Sequence, residues 1–425
     1  MNAYRLNIRR WSRTLLTAAG VALFAPHVMS AQSPSAPANG QTISLRDAIA
    51  IALRQNVAVK QSENAVASSA ATVSGKKSAF LPSLSLSTSS ARGLGTTSSS
   101  SSVVGVRQTS PTMNAGFSSS LVLFDGLRNV NELRQAKLDV TASSSDLTRA
   151  RQTAVFTVAS NYLTLATTQG QLAVQRQNLA AQEAQESQLQ KLVKAGARSI
   201  SDLYQQQANT ESARANVVSA DRDVELARIA LIQTLQLDPR GSYDFVAPTV
   251  PDAGPSSHSY NLDSLLSRAF ASRTDLAAEQ TRVEAATQGT KAAQSSRLPT
   301  VSLNTSYSAQ YNSGLATTLG DQLTQNRGGS VTLGISVPLF DRGATSTAVQ
   351  QARIQEENAR LSLASQRQTV ALDVRRAFLE LESTRQQLTV ALAQQKAANL
   401  AVSTTQARYQ VGTSTLLELT QARAS

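Results

Sequence analysis

Two carboxylates, Asp202 and Glu418, are the residues whose type and spacing suggest chemistry, because each stands six positions beyond a glycine, Gly196 or Gly412, in a repeated stretch. The stretch KLVKAGARSISDLYQQQ at 191–207 returns as RYQVGTSTLLELTQAR at 408–423, with Thr415 in place of Ser199 and Leu416 in place of Ile200. Neither acid has companions of a catalytic kind. The chain has no cysteine and two histidines, and no cluster of acids, bases and nucleophiles, so the sequence points to no enzyme, no metal and no cofactor. What remains open to these acids is electrostatics: each falls in the first turn of a helix that restarts after a glycine, where the helix dipole favours negative charge.

The rest of the chain must explain why a glycine break between helices occurs twice. Of 425 residues only 4% are aromatic and 41% hydrophobic, while Ser, Ala, Gln and Thr are abundant. That composition suits long helices packed through narrow seams and strands that alternate small polar with apolar residues. The start, residues 1–31, reads as a secretory signal peptide, with Arg5, Arg9, Arg10 and Arg13 ahead of a short apolar run from Leu15 to Ala25. Its removal takes four positive charges from the formal +12 and leaves the chain basic. Lys and Arg are scattered rather than clustered, which argues against nucleic acid as a partner. No later apolar run approaches the ~20 residues of a membrane helix, so any span of an exported chain must be made of strands.

Repeat 1 covers 32–238. A polar, Pro-bearing leader at 32–43 precedes a short amphipathic helix capped by Ser44, and a second helical run extends to about Lys77. At 80–92, Leu84 and Leu86 alternate with serines, and the returning stretch 113–124 puts Phe117, Leu121 and Leu123 on one face, so both are expected strands. Ser/Gly/Thr-rich residues 94–112 read as the loop between them. Asp125 then caps a run without proline from about 127 to 194, with Val155, Val158, Tyr162, Leu165, Leu172 and Leu179 in a helical seam. Such a rod is roughly 100 Å long, more than any compact globule needs. A second long helix is expected at about 199–237, stopped by Asp238-Pro239.

Pro-rich residues 239–261 read as a linker, and then repeat 2, 262–425, begins. RLPTVSLN at 297–304 echoes FLPSLSLS at 80–87, SVPLFDRG echoes SLVLFDGL, and AFLEL at 377–381 echoes NYLTL at 161–165. This is an internal duplication. Its strands fall at about 298–311 and 330–340 and its long helix at about 342–411. Val301, Leu303, Tyr307, Ala309 and Tyr311 share one face, as do Val331, Leu333, Ile335, Val337 and Leu339. A half-buried soluble sheet and a lipid-facing barrel both fit that alternation. Four strands are long enough to cross a bilayer but too few to close, so in lipid the chain would share a barrel with its own copies, eight strands from two or twelve from three. The fold class is therefore mainly α with transmembrane β.

The duplicated strand hairpin, long helical hairpin, Leu-Phe-Asp junction and glycine-centred tip, with YQVGT at 409–413, together resemble the TolC-type outer-membrane efflux and secretion channels over residues 44–425. The resemblance implies a homotrimer in the bacterial outer membrane: a shared twelve-stranded β-barrel in lipid and an α-helical tunnel through the periplasm. It implies a passive exit duct for drugs or proteins, in a tripartite efflux pump or a type I secretion system, with a periplasmic adaptor protein and an inner-membrane transporter as partners. By position it assigns the periplasmic gate to Asp202, Ser201, Tyr409 and Glu418, with a link expected between Asp202 and Tyr409. Tip docking on the adaptor falls to Gly196, Ala197, Gly412, Thr413 and Leu416. Two positions depart from the family: Gln421 replaces a second acid, and Ser414 stands where a basic gate residue is common. In a threefold entrance one carboxylate per chain becomes a ring that favours cations.

By the length of the first hairpin, the helix after Gly412 should reach about residue 453, so the last helix is expected to be cut short at Ser425 and its partner left uncovered. The alternative class is a structural or surface coiled-coil protein without a transport role. A soluble adaptor would also carry helical hairpins, but not two pairs of alternating strands.

Overall fold

The computed structural model describes residues 42–92, 111–246, 260–313 and 317–424. The signal peptide, most of the leader and the centres of the 94–112 loop and the 239–261 linker lie outside the described residues. In chain order the elements are β1 (Thr42–Ile43), α1 (Leu45–Gln55), α2 (Val57–Ser78), β2 (Ser83–Arg92), β3 (Pro111–Phe124), α3 (Arg128–Lys194) and α4 (Ile200–Leu235). The second half follows with β4 (Asp244–Phe245), α5 (Leu262–Ser272), α6 (Thr274–Ser295), β5 (Thr300–Asn312), α7 (Leu319–Gln325), β6 (Arg327–Ser336), α8 (Ala344–Gln410) and α9 (Leu416–Ala424). The duplication is visible in length: α2 and α6 are 22 residues each, α3 and α8 are 67 each.

Four strands form one antiparallel sheet in the order β2-β3-β5-β6. Register carries the alternation across it. Leu86, Phe117 and Tyr307 lie in one row, and Leu121, Leu303 and Leu333 in another. The opposite face holds the rows Ser85-Ser118-Ser306-Ser330 and Ser83-Ser120-Asn304-Thr332. Ser85 and Ser118 hydroxyls meet at 2.7 Å, and Ser306 and Ser330 at 2.9 Å. One face is apolar and exposed in the single chain, the other a hydroxyl ladder. The helices below repeat the order, since α2 packs on α3, α3 on α6 and α6 on α8. Among the described residues both layers therefore have two free edges, β2 and β6 above, α2 and α8 below.

Several sequence expectations shift. The strand expected at 330–340 is 327–336, because Pro338 lacks the N–H that a ladder needs and the chain leaves the sheet before it. Val337 and Leu339 are accordingly outside the strand. The strand expected at 80–92 begins at Ser83, since Phe80 and Leu81 turn back by N–H bonds to Lys77 O and Ser78 O. The other two are 111–124 rather than 113–124 and 300–312 rather than 298–311. A β-bulge between Val122 and Phe124 puts Phe124, not Leu123, opposite Val301. Helix α4 ends at Leu235, two residues short of the expected 237, because Gln236 turns left-handed (φ 55°) and Leu237 N–H reaches back to Ile232 O. Helix α7 lies in the stretch between the two expected strands, and Thr318 and Asp321 form the signature that starts it: Asp321 N–H donates to Thr318 Oγ1 at 3.2 Å.

The leader and linker also contain structure. Thr42–Ile43 pairs in parallel with Asp244–Phe245 and closes a core of Ile51, Val158, Tyr162, Leu165, Leu231 and Leu235 across α1, α3 and α4. A charged node on the second half ties three helices. Arg273 Nη2 holds Asp275 Oδ2 at 2.6 Å, Arg149 of α3 approaches it at 3.7 Å and Gln366 of α8 donates to it at 3.1 Å. Burial alone would raise the Asp275 carboxyl, but the hydrogen bond and charge of Arg273, the charge of Arg149 and the Leu276 N–H hold it below its usual range.

The strand-to-helix junctions are two consecutive left-handed residues in each half, Gly126-Leu127 and Arg342-Gly343. Asp125 does not act as the expected N-cap; it precedes this left-handed pair and accepts from Asn129 N–H at 2.9 Å, as Asp341 does from Thr345 N–H at 2.7 Å. The glycines differ in surroundings. A Cβ on Gly126 would lie 2.6 Å from Ser295 O and 2.8 Å from Leu298 Cβ, whereas one on Gly343 would meet nothing nearer than Ser346 Oγ at 3.6 Å. Gly126→Ala is therefore expected to cost about 2–5 kcal/mol, left-handed strain plus overpacking, and Gly343→Ala about 1–2 kcal/mol from strain alone. Thermal unfolding of the two variants side by side checks the difference, and equal losses would contradict it.

Candidate functional site: the paired helical tips

The glycine-centred stretches are two turns at the far end of the long helices from the sheet. Both are built alike. Gly196 (φ 71°) donates to Val193 O at 3.0 Å while Ala197 N–H reaches Leu192 O at 2.9 Å; Gly412 (φ 80°) donates to Tyr409 O at 3.1 Å while Thr413 N–H reaches Arg408 O at 2.9 Å. This pair of bonds is the Schellman ending, and it uses glycine for its left-handed residue. Each following helix is then capped by a hydroxyl. Ser199 Oγ accepts from Ser201 N–H at 3.1 Å, and Thr415 Oγ1 from Glu418 N–H at 3.2 Å.

The sequence-selected residues fall into separate small groups. Ala197, Gly412 and Thr413 are exposed on the turns, and Leu416 opens α9. Glu418 accepts a short bond from the Ser414 hydroxyl, which, with the Thr415 backbone amide and nearby Arg408, holds its carboxyl below the usual range. Ser414, buried here, thus serves the acid directly. Ser201 is exposed and Asp202 half-buried. The expected Asp202–Tyr409 link is not among the hydrogen bonds of the described residues. Asp202 instead lines a cavity of about 540 Å³ with Gln205, Asn209, Thr420 and Gln421, between α3, α4 and α9. The guanidinium of Arg198, a residue with no sequence signal of its own, lies 5.6 Å from the centroid of the Tyr409 ring. A lone arginine in a turn carries no pattern; only the pairing of the two tips reveals it.

Behind the tips the helical seam is polar. Gln206, 1% exposed, donates from Nε2 to Gln182 Oε1 at 2.7 Å, Thr210 bonds back to Gln206 O, and Arg423 of α9 approaches Gln185 Oε1 at 3.5 Å. Polar layers of this kind fix helix register at some cost in stability.

An open four-stranded sheet with one apolar and one hydroxyl face, continuous with 67-residue helices, defines the class: a β-barrel membrane protein with a helical stalk. More particularly, the chain belongs to the Outer membrane efflux protein family, which it matches over residues 48–235 and 265–425. It is 25% identical over 317 residues to Outer membrane efflux protein BepC of Brucella suis, a match covering 73% of this chain and 66% of that relative, just under two thirds of its length. Its fold is similar to the Campylobacter jejuni CmeC outer membrane channel (18% identity, 89% of this chain and 79% of that one, TM-score 0.76). It is also similar to the outer membrane protein VceC of Vibrio cholerae (19% identity, 89% and 88%, TM-score 0.71). The TolC-type fold class and the outer-membrane location, with the long helices in the periplasm, follow from this membership. These relatives are channel proteins rather than enzymes.

Proposed function

We propose that the chain is the outer-membrane exit duct of an efflux pump, a homotrimer that docks on a periplasmic adaptor joined to an inner-membrane transporter. The observation that carries this reading is the pair of layers with matching order and free edges: β2 and β6 in the sheet, α2 and α8 in the helices. Lipid does not tolerate an unpaired sheet edge, so β2 of one copy must pair with β6 of the next. Two copies would make eight strands, whose interior side chains fill; three copies make twelve, the smallest closed assembly of this unit that leaves a bore. The hydroxyl face then lines water and the apolar face meets outer-membrane lipid.

The periplasmic end is the gate and docking surface. Asp202, Ser201, Tyr409 and Glu418 ring the entrance, and Gly196, Ala197, Gly412, Thr413 and Leu416 meet the adaptor. Transport is passive, with energy supplied by the inner-membrane partner, and residues 1–31 are the signal that exports the chain. Gly412→Pro tests the tip: proline cannot adopt φ near +80° and removes the N–H that bonds Tyr409 O. In an efflux-deficient host supplied with the adaptor and transporter, drug tolerance should fall to that of the empty strain while trimers persist on gels. Retained tolerance would overturn the docking role.

A further inference from the structure

We propose that Arg92 and Arg327 bind the phosphate groups of a phosphorylated lipid in the outer leaflet, one such site at each seam between copies; the inference rests on the trimeric duct above. The four strands of the sheet carry two charged residues, and both are arginines. β2 enters the sheet from α2 and ends on Arg92, while β6 begins on Arg327 and leaves toward α8, so both stand at the rim farthest from the periplasmic helices. Both also stand on the apolar face. An even step along an unbroken ladder separates Arg92 from Leu86 and Arg327 from Leu333. Near the same rim that face carries the pairs Met113-Tyr311 and Phe117-Tyr307, whereas Leu121, Leu303 and Leu333 lie nearer the helices. Tyrosine rings and snorkelling cations mark the depth of the lipid headgroups.

The two arginines come together only between copies. β2 and β6 are the opposite edges of the sheet, and closure of the barrel makes them neighbours. The duplication sets their register, because β6 repeats β3 and β2 repeats β5. Within the chain Ala115 lies opposite Ala309; the same pairing at the seam puts Val331 opposite Arg92 of the partner subunit. Arg327 is four residues from Val331 on the same face, about 13 Å along the strand. Two long side chains converge from that separation on one headgroup. The internal β3–β5 seam has Pro111 and Ala309 at the corresponding positions, so the basic pair belongs to the seam between copies. Both arginines are exposed, and among the described residues neither guanidinium has an ion pair or a hydrogen-bond partner. A guanidinium presents a planar pair of donors that matches phosphate. Free phosphate shares that chemistry, but it has no acyl chains to lie against the leucines below.

Purified full-length trimers in detergent, titrated with diphosphoryl lipid A and with the same lipid stripped of its phosphates, test the site by native mass spectrometry. The parent is expected to hold the phosphorylated lipid about 10-fold more tightly, and Arg92→Gln combined with Arg327→Gln to hold both lipids equally. A double variant that keeps the parent's preference overturns the site. A parent trimer that does not distinguish the two lipids overturns it without recourse to any variant. Inorganic phosphate that displaces the lipid at equal concentration would assign the arginines to the free ion and overturn it as well. A parent protein that purifies as a monomer overturns the trimeric duct and the seam with it, whereas a trimer without lipid preference overturns the lipid site alone.

Discussion

Leu333→Arg is expected to reduce outer-membrane assembly by at least tenfold, whereas Thr332→Arg, one residue away, should leave assembly intact and change conductance. The two side chains stand on opposite faces of β6. Leu333 is 61% exposed in the single chain and lies in the row with Leu303 and Leu121; Thr332 lies in the row with Asn304, Ser120 and Ser83. An arginine on the lipid face of a barrel costs about 2–4 kcal/mol at the centre of the bilayer, and three copies carry it together. On the water face the same side chain is hydrated and acts only on passing ions. Heat-modifiable trimers in outer-membrane fractions report the first effect, and bilayer conductance the second. Equal loss of assembly in both variants would refute the division of faces.

The second large effect is expected at Tyr162. It is 1% exposed, its ring meets Phe245 edge-on at 6.2 Å, and its hydroxyl donates to Ile43 O at 2.9 Å and to Val246 O. One side chain thereby fastens the β1–β4 pair to the middle of α3. Tyr162→Ala should cost about 3–5 kcal/mol, as other large-to-small changes in a closed core do. Tyr162→Phe keeps the packing and should cost about 1 kcal/mol, the usual net value of one hydrogen bond. Thermal unfolding of the detergent-solubilised protein separates them, and a Phe variant as unstable as the Ala variant would shift the weight from packing to the hydroxyl. The repeat places Phe378 where Tyr162 stands. There it lines an apolar groove with Leu265, Ala269, Val374 and Leu381.

The duplication, the alternating strands and the unbroken helical runs were legible in the sequence because each is a periodic property of consecutive residues. Period two in SLSLS and three-to-four spacing through Val158, Tyr162 and Leu165 need no partner to be recognised. The two glycine breaks were legible for the same reason, since a left-handed helix ending selects its residue locally.

What joins distant residues was decided by tertiary structure alone. The β1–β4 pair unites a leader with a linker, two stretches that separately have only the composition of loops. The bulge that sets Phe124 rather than Leu123 opposite Val301 exists only in the pairing of β3 with β5, and no single strand contains it. At the tips the sequence determined two capped glycine turns with an acid in each following helix. It did not determine that Arg198 would cover Tyr409 while Asp202 turned toward Gln421, because a contact between hairpins depends on how the long helices cross, and each helix specifies only its own seam.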